Sequence, residues 1–256
     1  MKFYFILSLL LIYTGITIAQ DAPVRQNEIG LSVGYNSGYF KDLNFSVLNY
    51  KDRGLYTKFH YHHRFSKTTL KTSLEINYDN IHSDVAPFFS TLFPRAGLKA
   101  EYLFDISQND KWHITAGPML SSDNQMLLFN GFLSFSFLFV HSAGISSDIY
   151  YQLDDKNLFR FSMQLPLVHL LVRPPYSGFD KGTEANQDKP LRLITNGKLA
   201  TVNEYLAANT VITYKRVLNS RFDLDASYGL HFQRTYQEHY LIHLQNRYKL
   251  SLNYKF

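Results

Sequence analysis

His60 and His62 stand two residues apart in the run Lys58-Phe59-His60-Tyr61-His62. In an extended strand, residues two apart share a face, so both imidazoles reach toward one point, as ligation of a metal ion requires. No nearby Cys or His pattern completes a ligand set. Glu75 on the following segment comes within approach, but no metal site is assigned. His141-Ser142 is an adjacent His-Ser pair. A hydroxyl nucleophile needs its base within hydrogen-bond reach, and neighbours on a regular strand point to opposite faces, so only a bulge near Gly144 would bring these two together. His113 and Thr115 share a face and read as lining. On this basis the chain carries no assigned catalytic residue and no cofactor.

The charged residues form a larger pattern. Lys58, Arg64, Lys71, Lys99, Arg160, Lys215, Arg221, Arg247, Lys249 and Lys255 fall on the polar sides of alternating segments, against Glu75, Glu101, Asp105, Asp223 and Asp225. Enclosed in a narrow interior, such groups must pair or hydrogen-bond, because an unpaired charge away from water is costly. The pattern therefore predicts a lumen charge network, and its surplus of cations would favour anions if the interior were open.

The elements that position these residues are strands. From Tyr248 onward, Tyr248, Leu250, Leu252, Tyr254 and Phe256 alternate with Lys249, Ser251, Asn253 and Lys255. The same alternation places Ile29, Leu31, Val33 and Tyr35 on one face. It does so again for Leu55, Phe59 and Tyr61, for Leu70, Leu74, Ile76 and Tyr78, and for Leu98, Ala100, Tyr102 and Phe104. Later segments repeat it with Phe159, Phe161 and Met163, with Leu206, Ala208, Ile212 and Tyr214, and with Phe222, Leu224, Ala226, Tyr228 and Leu230. Short polar turns fall near 66, 108, 155 and 219, and longer connections near 45, 86, 123, 185 and 236. Residues 121–125 read as a loop. The run 131–153 stays apolar at odd positions. As one strand it would extend ~76 Å, so it projects far from a membrane, bends at Gly144, or hides a turn. The expected fold is all-β, an antiparallel transmembrane barrel of about ten strands, with eight or twelve as alternatives. The mixed-sign segment 173–198 reads as a solvated loop, a lid, a lumen plug or a docking surface.

The bulk numbers agree with this. Residues 1–19 have the layout of a cleavable signal peptide, with Lys2 before an apolar stretch and Thr17-Ile18-Ala19 at the cut; residues 20–256 form a single barrel domain. No later stretch offers the ~18 consecutive apolar residues of a helical span. There is no Cys, hence no disulfide. Nineteen Tyr and twenty-one Phe suit the aromatic girdles of membrane barrels. The formal charge of +5 is scattered rather than clustered, which argues against nucleic acid.

Together the signal peptide, the alternating strands, the rhythm of short turns and long loops, and the terminal Tyr254-Lys255-Phe256 resemble a small Gram-negative outer-membrane β-barrel protein. The resemblance is architectural and matches no particular family motif. It implies location in the outer membrane, contact with its lipid, and recognition of Tyr248, Leu250, Leu252, Tyr254 and Phe256 by the barrel assembly machinery. It leaves three roles open. The first is a structural or interaction component with an outer-membrane protein partner. The second is a narrow, porin-like channel for small solutes or ions with anion preference. The third is a lipid-modifying enzyme.

Overall fold

The computed structural model describes residues 26–85, 90–129, 134–175 and 188–256; the expected signal peptide and residues 176–187 of the 173–198 segment lie outside the described residues. The chain forms β1 (Asn27–Asp42), β2 (Tyr50–Arg64), β3 (Thr68–His82), β4 (Ser90–Gln108), β5 (Trp112–Phe129), β6 (Ser134–Gln152) and β7 (Asn157–Val172). There follow a short helix α1 (Pro190–Thr195), then β8 (Lys198–Thr201), β9 (Tyr205–Val217), β10 (Phe222–Thr235) and β11 (Leu241–Lys255). Each long strand pairs antiparallel with its neighbours, and β1 pairs with β11 from Glu28↔Lys255 to Asp42↔Leu241. The sheet thus closes on itself as a ten-stranded barrel. Joining the first and last strands leaves the barrel wall without a free first or last edge, the condition for crossing lipid with strands. The eighth stave is split between β8 and β9: β7 pairs with β9 over Asn157–Gln164 and with β8 over Val168–Leu171.

Three short turns share one device. Asn109 Oδ1 accepts from the Lys111 and Trp112 amides at 3.0 and 2.7 Å. Asn219 Oδ1 accepts from the Arg221 and Phe222 amides at 2.8 and 2.9 Å, and Asp154 Oδ1 from the Lys156 and Asn157 amides at 2.8 and 2.9 Å. A side-chain oxygen that caps the amides two and three residues on is what Asn and Asp bring to a turn.

The outward rows are exposed, as a lipid-facing surface must be: Leu31, Val33, Leu55, Phe59, Ile76, Leu98, Ile212, Leu250 and Leu252 are each half or more accessible. Near the short-turn end, rings neighbour one another from strand to strand. Trp112 meets Tyr151, Phe159 meets Tyr214, and Phe222 meets Tyr254, with centroids 4.5, 5.5 and 5.2 Å apart. This is the interfacial girdle of a membrane barrel. Phe256 adds no strand residue of its own, yet its amide bonds Asn27 O at 3.0 Å and its carbonyl accepts from Asn27 N at 3.2 Å.

One expectation is corrected and one open alternative is decided. Residues 121–125 are not a loop: β5 runs through them, with Ser121↔Ser142 and Gln125↔Leu138 paired to β6. The run 131–153, for which a projecting strand, a bend and a hidden turn were the alternatives, is one strand over its described length: β6 runs without a turn from Ser134 to Gln152. Gly144 does mark an irregularity, a register shift between Ala143 and Gly144 against β7. The strands are also longer than a bilayer needs. β4 and β6 have 19 residues each, whereas about ten tilted residues span the hydrocarbon. The surplus rises at the long-loop end.

Candidate functional site in the barrel lumen

Inward side chains are layered along the barrel axis. At the short-turn end lies an open vestibule of about 760 Å³, lined among others by Glu28, His62, Lys71, His113, Tyr150, Arg160, Lys215 and Lys255. The carboxylates and cations of this layer pair off across strands. Lys71 bonds Asp148, and Arg160 faces Asp225 at 4.0 Å. Lys255 and Lys215 both reach Asp223 Oδ2, at 2.6 and 3.1 Å. Lys215 also reaches Glu28 Oε2 at 3.0 Å. His113 Nε2 stands 2.8 Å from Asp105 Oδ1.

The next layer converges on one carboxylate. Glu75 Oε1 lies 3.4 Å from Lys58 and 3.5 Å from Lys99, and its Oε2 lies 3.4 Å from Arg247 Nη1. Glu101 accepts instead from Ser146 Oγ and Gln164 Nε2, at 2.6 and 2.7 Å. Lys249 sits over the buried Tyr56 ring, 5.2 Å from its centroid, a cation–π placement.

Higher still, Arg95 bonds Asp79 and donates to Gln245 Oε1 at 2.8 Å. Asn36 donates to Asn77 and Asp79 at 2.8 and 3.1 Å. His243 Nε2 lies 2.7 Å from Asp52 Oδ2, with both side chains fully buried. Gln125 and Gln233 exchange amide hydrogen bonds at 2.8 and 2.9 Å across the lumen.

Above these polar layers the lumen turns apolar. Phe40, Tyr50, Ile81, Phe93, Leu127, Leu138, Val140, Leu171, Ala200, Tyr205, Ala207 and Leu241 form one buried cluster, with Phe45 and Leu48 of the 43–49 loop packed against it. Phe40 and Phe93 meet at 5.0 Å between centroids. This cluster is a dry cap inside the barrel at the long-loop end. At its side Asp42 bonds Arg173, whose Nη1 also donates to the Gln237 and His239 carbonyls at 2.7 Å each, tying the 236–240 connection to the end of β7.

Several residues expected in the lumen network occupy other surroundings. Arg221 precedes β10 and is exposed in the turn, because the strand begins at Phe222. Arg64 ends β2 and is exposed at the vestibule rim. Arg247 and Lys249 do lie in the lumen, facing Glu75 and the Tyr56 ring. Ser142 finds its histidine on the neighbouring strand: its Oγ lies 2.8 Å from His169 Nδ1, while His141 Nε2 bonds the Ile194 carbonyl at 2.9 Å. Ser142 and His169 are a nucleophile and a base in reach. Both are buried beside Tyr205 of the cap, so their bond works as a tie between β6 and β7.

Glu28, Asp52, Asp79, Asp148 and Arg95 also belong to the interior and were not anticipated. Asp148 follows the odd-out, even-in alternation of 145–153, a signal present in the sequence. Asp52 and Asp79 sit in stretches whose turn-like composition hid the strands.

No protein family matches the chain, and no curated protein matches it. Solved structures do. The outer membrane protease OmpT from Escherichia coli superposes with a TM-score of 0.55 at 7% identity, covering 94% of this chain and 99% of that one. The translocator domain of the autotransporter NalP from Neisseria meningitidis gives 0.43 at 9% identity, over 97% and 94%. The COG4313 outer membrane channel from Pseudomonas putida F1 also gives 0.43 at 9%, over 93% and 100%. At these identities the likeness is one of fold. The chain shares the barrel fold of the outer membrane protease.

Proposed function

We propose that this barrel is a sealed structural or interaction component of the outer membrane, one that carries its working surfaces at its two ends and passes no solute through its centre. The observation that supports this reading is the dry cap of the Phe40–Phe93 cluster across the long-loop end. Beneath it, cross-lumen pairs such as Arg247–Glu75 and Gln125–Gln233 occupy the bore. An ion crossing here would have to shed its water among aliphatic and aromatic side chains, which is prohibitive without compensating ligands. Exposed apolar side chains on the long-loop rim, Val47 at 77%, Val85 at 80% and Tyr236 at 61%, suit contact with an outer-membrane protein partner.

The test is a planar-bilayer recording of the refolded barrel. This reading expects silence at all voltages. Steady unitary steps, with reversal potentials biased toward anions, would establish the narrow channel instead.

A further inference from the structure

We propose that Glu28, His60 and His62 form a binding site for a divalent transition-metal ion of zinc type, entered from the vestibule. Strand pairing assembles the site. β1 and β2 run antiparallel with Glu28↔His62 and Gly30↔His60 in register, so the carboxylate and both imidazoles project into the lumen from one corner. The candidate ligand atoms all lie within 4.8 Å of one another. His62 Nδ1 is 3.1 Å and His60 Nε2 3.9 Å from Glu28 Oε1. Zinc bonds of about 2.0–2.2 Å in tetrahedral geometry separate neighbouring ligand atoms by roughly 3.4 Å, and the two distances bracket that value. Two imidazoles and one carboxylate are a known donor set for zinc with a fourth position left open.

Three further observations point to a ligand. First, His60 makes no hydrogen bond among the described residues: Nε2, the nitrogen that faces Glu28, stands 3.9 Å from its carboxylate, and Nδ1 is buried without a partner. The other inward histidines are committed: His113 to Asp105, His169 to Ser142, His231 to Asn209 and His243 to Asp52.

Second, the backbone gives way to the His60 ring. A Cβ on residue 30 would come within 2.3 Å of His60 Cε1, so the ring lies where only glycine leaves room.

Third, the charges around the site leave Glu28 available. Lys71, Arg160 and Lys255 are each matched to Asp148, Asp225 and Asp223, and Lys215 keeps Asp223 Oδ2 when Glu28 turns to an ion. Glu28 and His62 line the open vestibule, so an ion reaches the site without crossing the cap.

The test uses the full mature barrel refolded in detergent and titrated calorimetrically with zinc chloride. One equivalent should bind and be removed by a chelator. Glu28→Gln, His60→Gln and His62→Gln should each weaken binding at least about tenfold, the lower end of what loss of even a supporting partner does to a metal site. His113→Gln should leave it unchanged. Folding of each variant is checked by its mobility on unboiled gels. Where a variant does not fold, the wild-type barrel decides: zinc should protect His60 and His62 from diethylpyrocarbonate, read by mass spectrometry. No stoichiometric binding, binding equal in the three folded variants, loss of binding in His113→Gln, or unprotected His60 and His62 would each overturn the proposal.

Discussion

Arg247 on β11 and Glu75 on β3 meet across the lumen at 3.4 Å, although β1 and β2 stand between their strands in the barrel wall. The contact is a chord through the bore. Lys58 and Lys99 reach the same carboxylate, so one buried acid holds three cations.

Removing that acid should be severe. Glu75→Gln leaves three ammonium or guanidinium groups without their shared counter-ion, and breaking a buried pair costs about 3 kcal/mol or more. Asp225→Ala is the internal comparison. Its cation, Arg160, lies at 4.0 Å, beyond a direct hydrogen bond, and lines the open vestibule, so water screens the loss and the cost should be about 1 kcal/mol. Urea midpoints of the two refolded variants should rank in that order; equal midpoints would mean that the middle layer is as wet as the vestibule.

The cap makes a separate claim on stability. Phe93 is 1% exposed and packs against Phe40 and His243. Phe93→Ala opens a cavity and should cost about 3–5 kcal/mol, again read from the urea midpoint. The barrel should remain electrically silent, because the paired layers beneath are untouched. Conductance gained by this single variant would place the whole seal in the cap.

Phe256 contributes in two ways that a deletion separates. Its backbone pairs with Asn27 at the β1–β11 seam, and its ring lies 5.9 Å from that of Tyr254. If the aromatic row of β11 is read by the assembly machinery, deleting Phe256 should lower the yield of folded barrel in cells more than it lowers refolding in detergent. Equal losses would assign it to the seam alone.

The turn at Asp154 gives a pH dependence with a definite sign. Hydrogen bonds from the Asn157 side chain and from the Lys156 and Asn157 amides hold the Asp154 carboxyl below its ordinary value. A depressed carboxyl contributes stability above its unfolded pKa of about 3.9, and that contribution fades as pH falls through the lower folded value. The drop in urea midpoint between neutral and acidic pH should therefore be smaller in Asp154→Ala than in the parent barrel. An unchanged pH profile would show that the turn is held by its neighbours.

The lipid-facing half of this architecture was legible because lipid enforces one rule. Wherever a strand crosses hydrocarbon, as at Leu31-Val33-Tyr35 or Tyr248-Leu250-Leu252, outward residues must be apolar, and the alternation is clean. Above the bilayer the rule lapses. Ser122 and Asn124 point outward from β5 past the apolar band, while Leu127 turns inward to the cap. Polar side chains thus stand on both faces of one stretch of strand, and a polar run that belongs to a strand imitates a loop. Pairings that depend on register across the lumen were out of reach for a different reason. Lys71 and Asp148 are 77 residues apart, and nothing local to either fixes which opposite strand its side chain will meet. The trio Glu28, His60 and His62 lies between these cases: the histidine spacing was visible, but the partner acid came from β1 rather than β3.

In a barrel sealed as proposed, the apolar cap and the open vestibule divide the lumen electrically as well as chemically. A potential applied across the membrane drops where mobile ions are absent, which is through the cap and the Glu75 layer. The vestibule is continuous with the solution at the short-turn end and stays close to its potential. A charge moved across the full membrane field gains or loses about 2.3 kcal/mol per 100 mV, but an ion settling beside Glu28 traverses almost none of it. Occupancy there follows the ion content of one compartment only and is insensitive to membrane voltage.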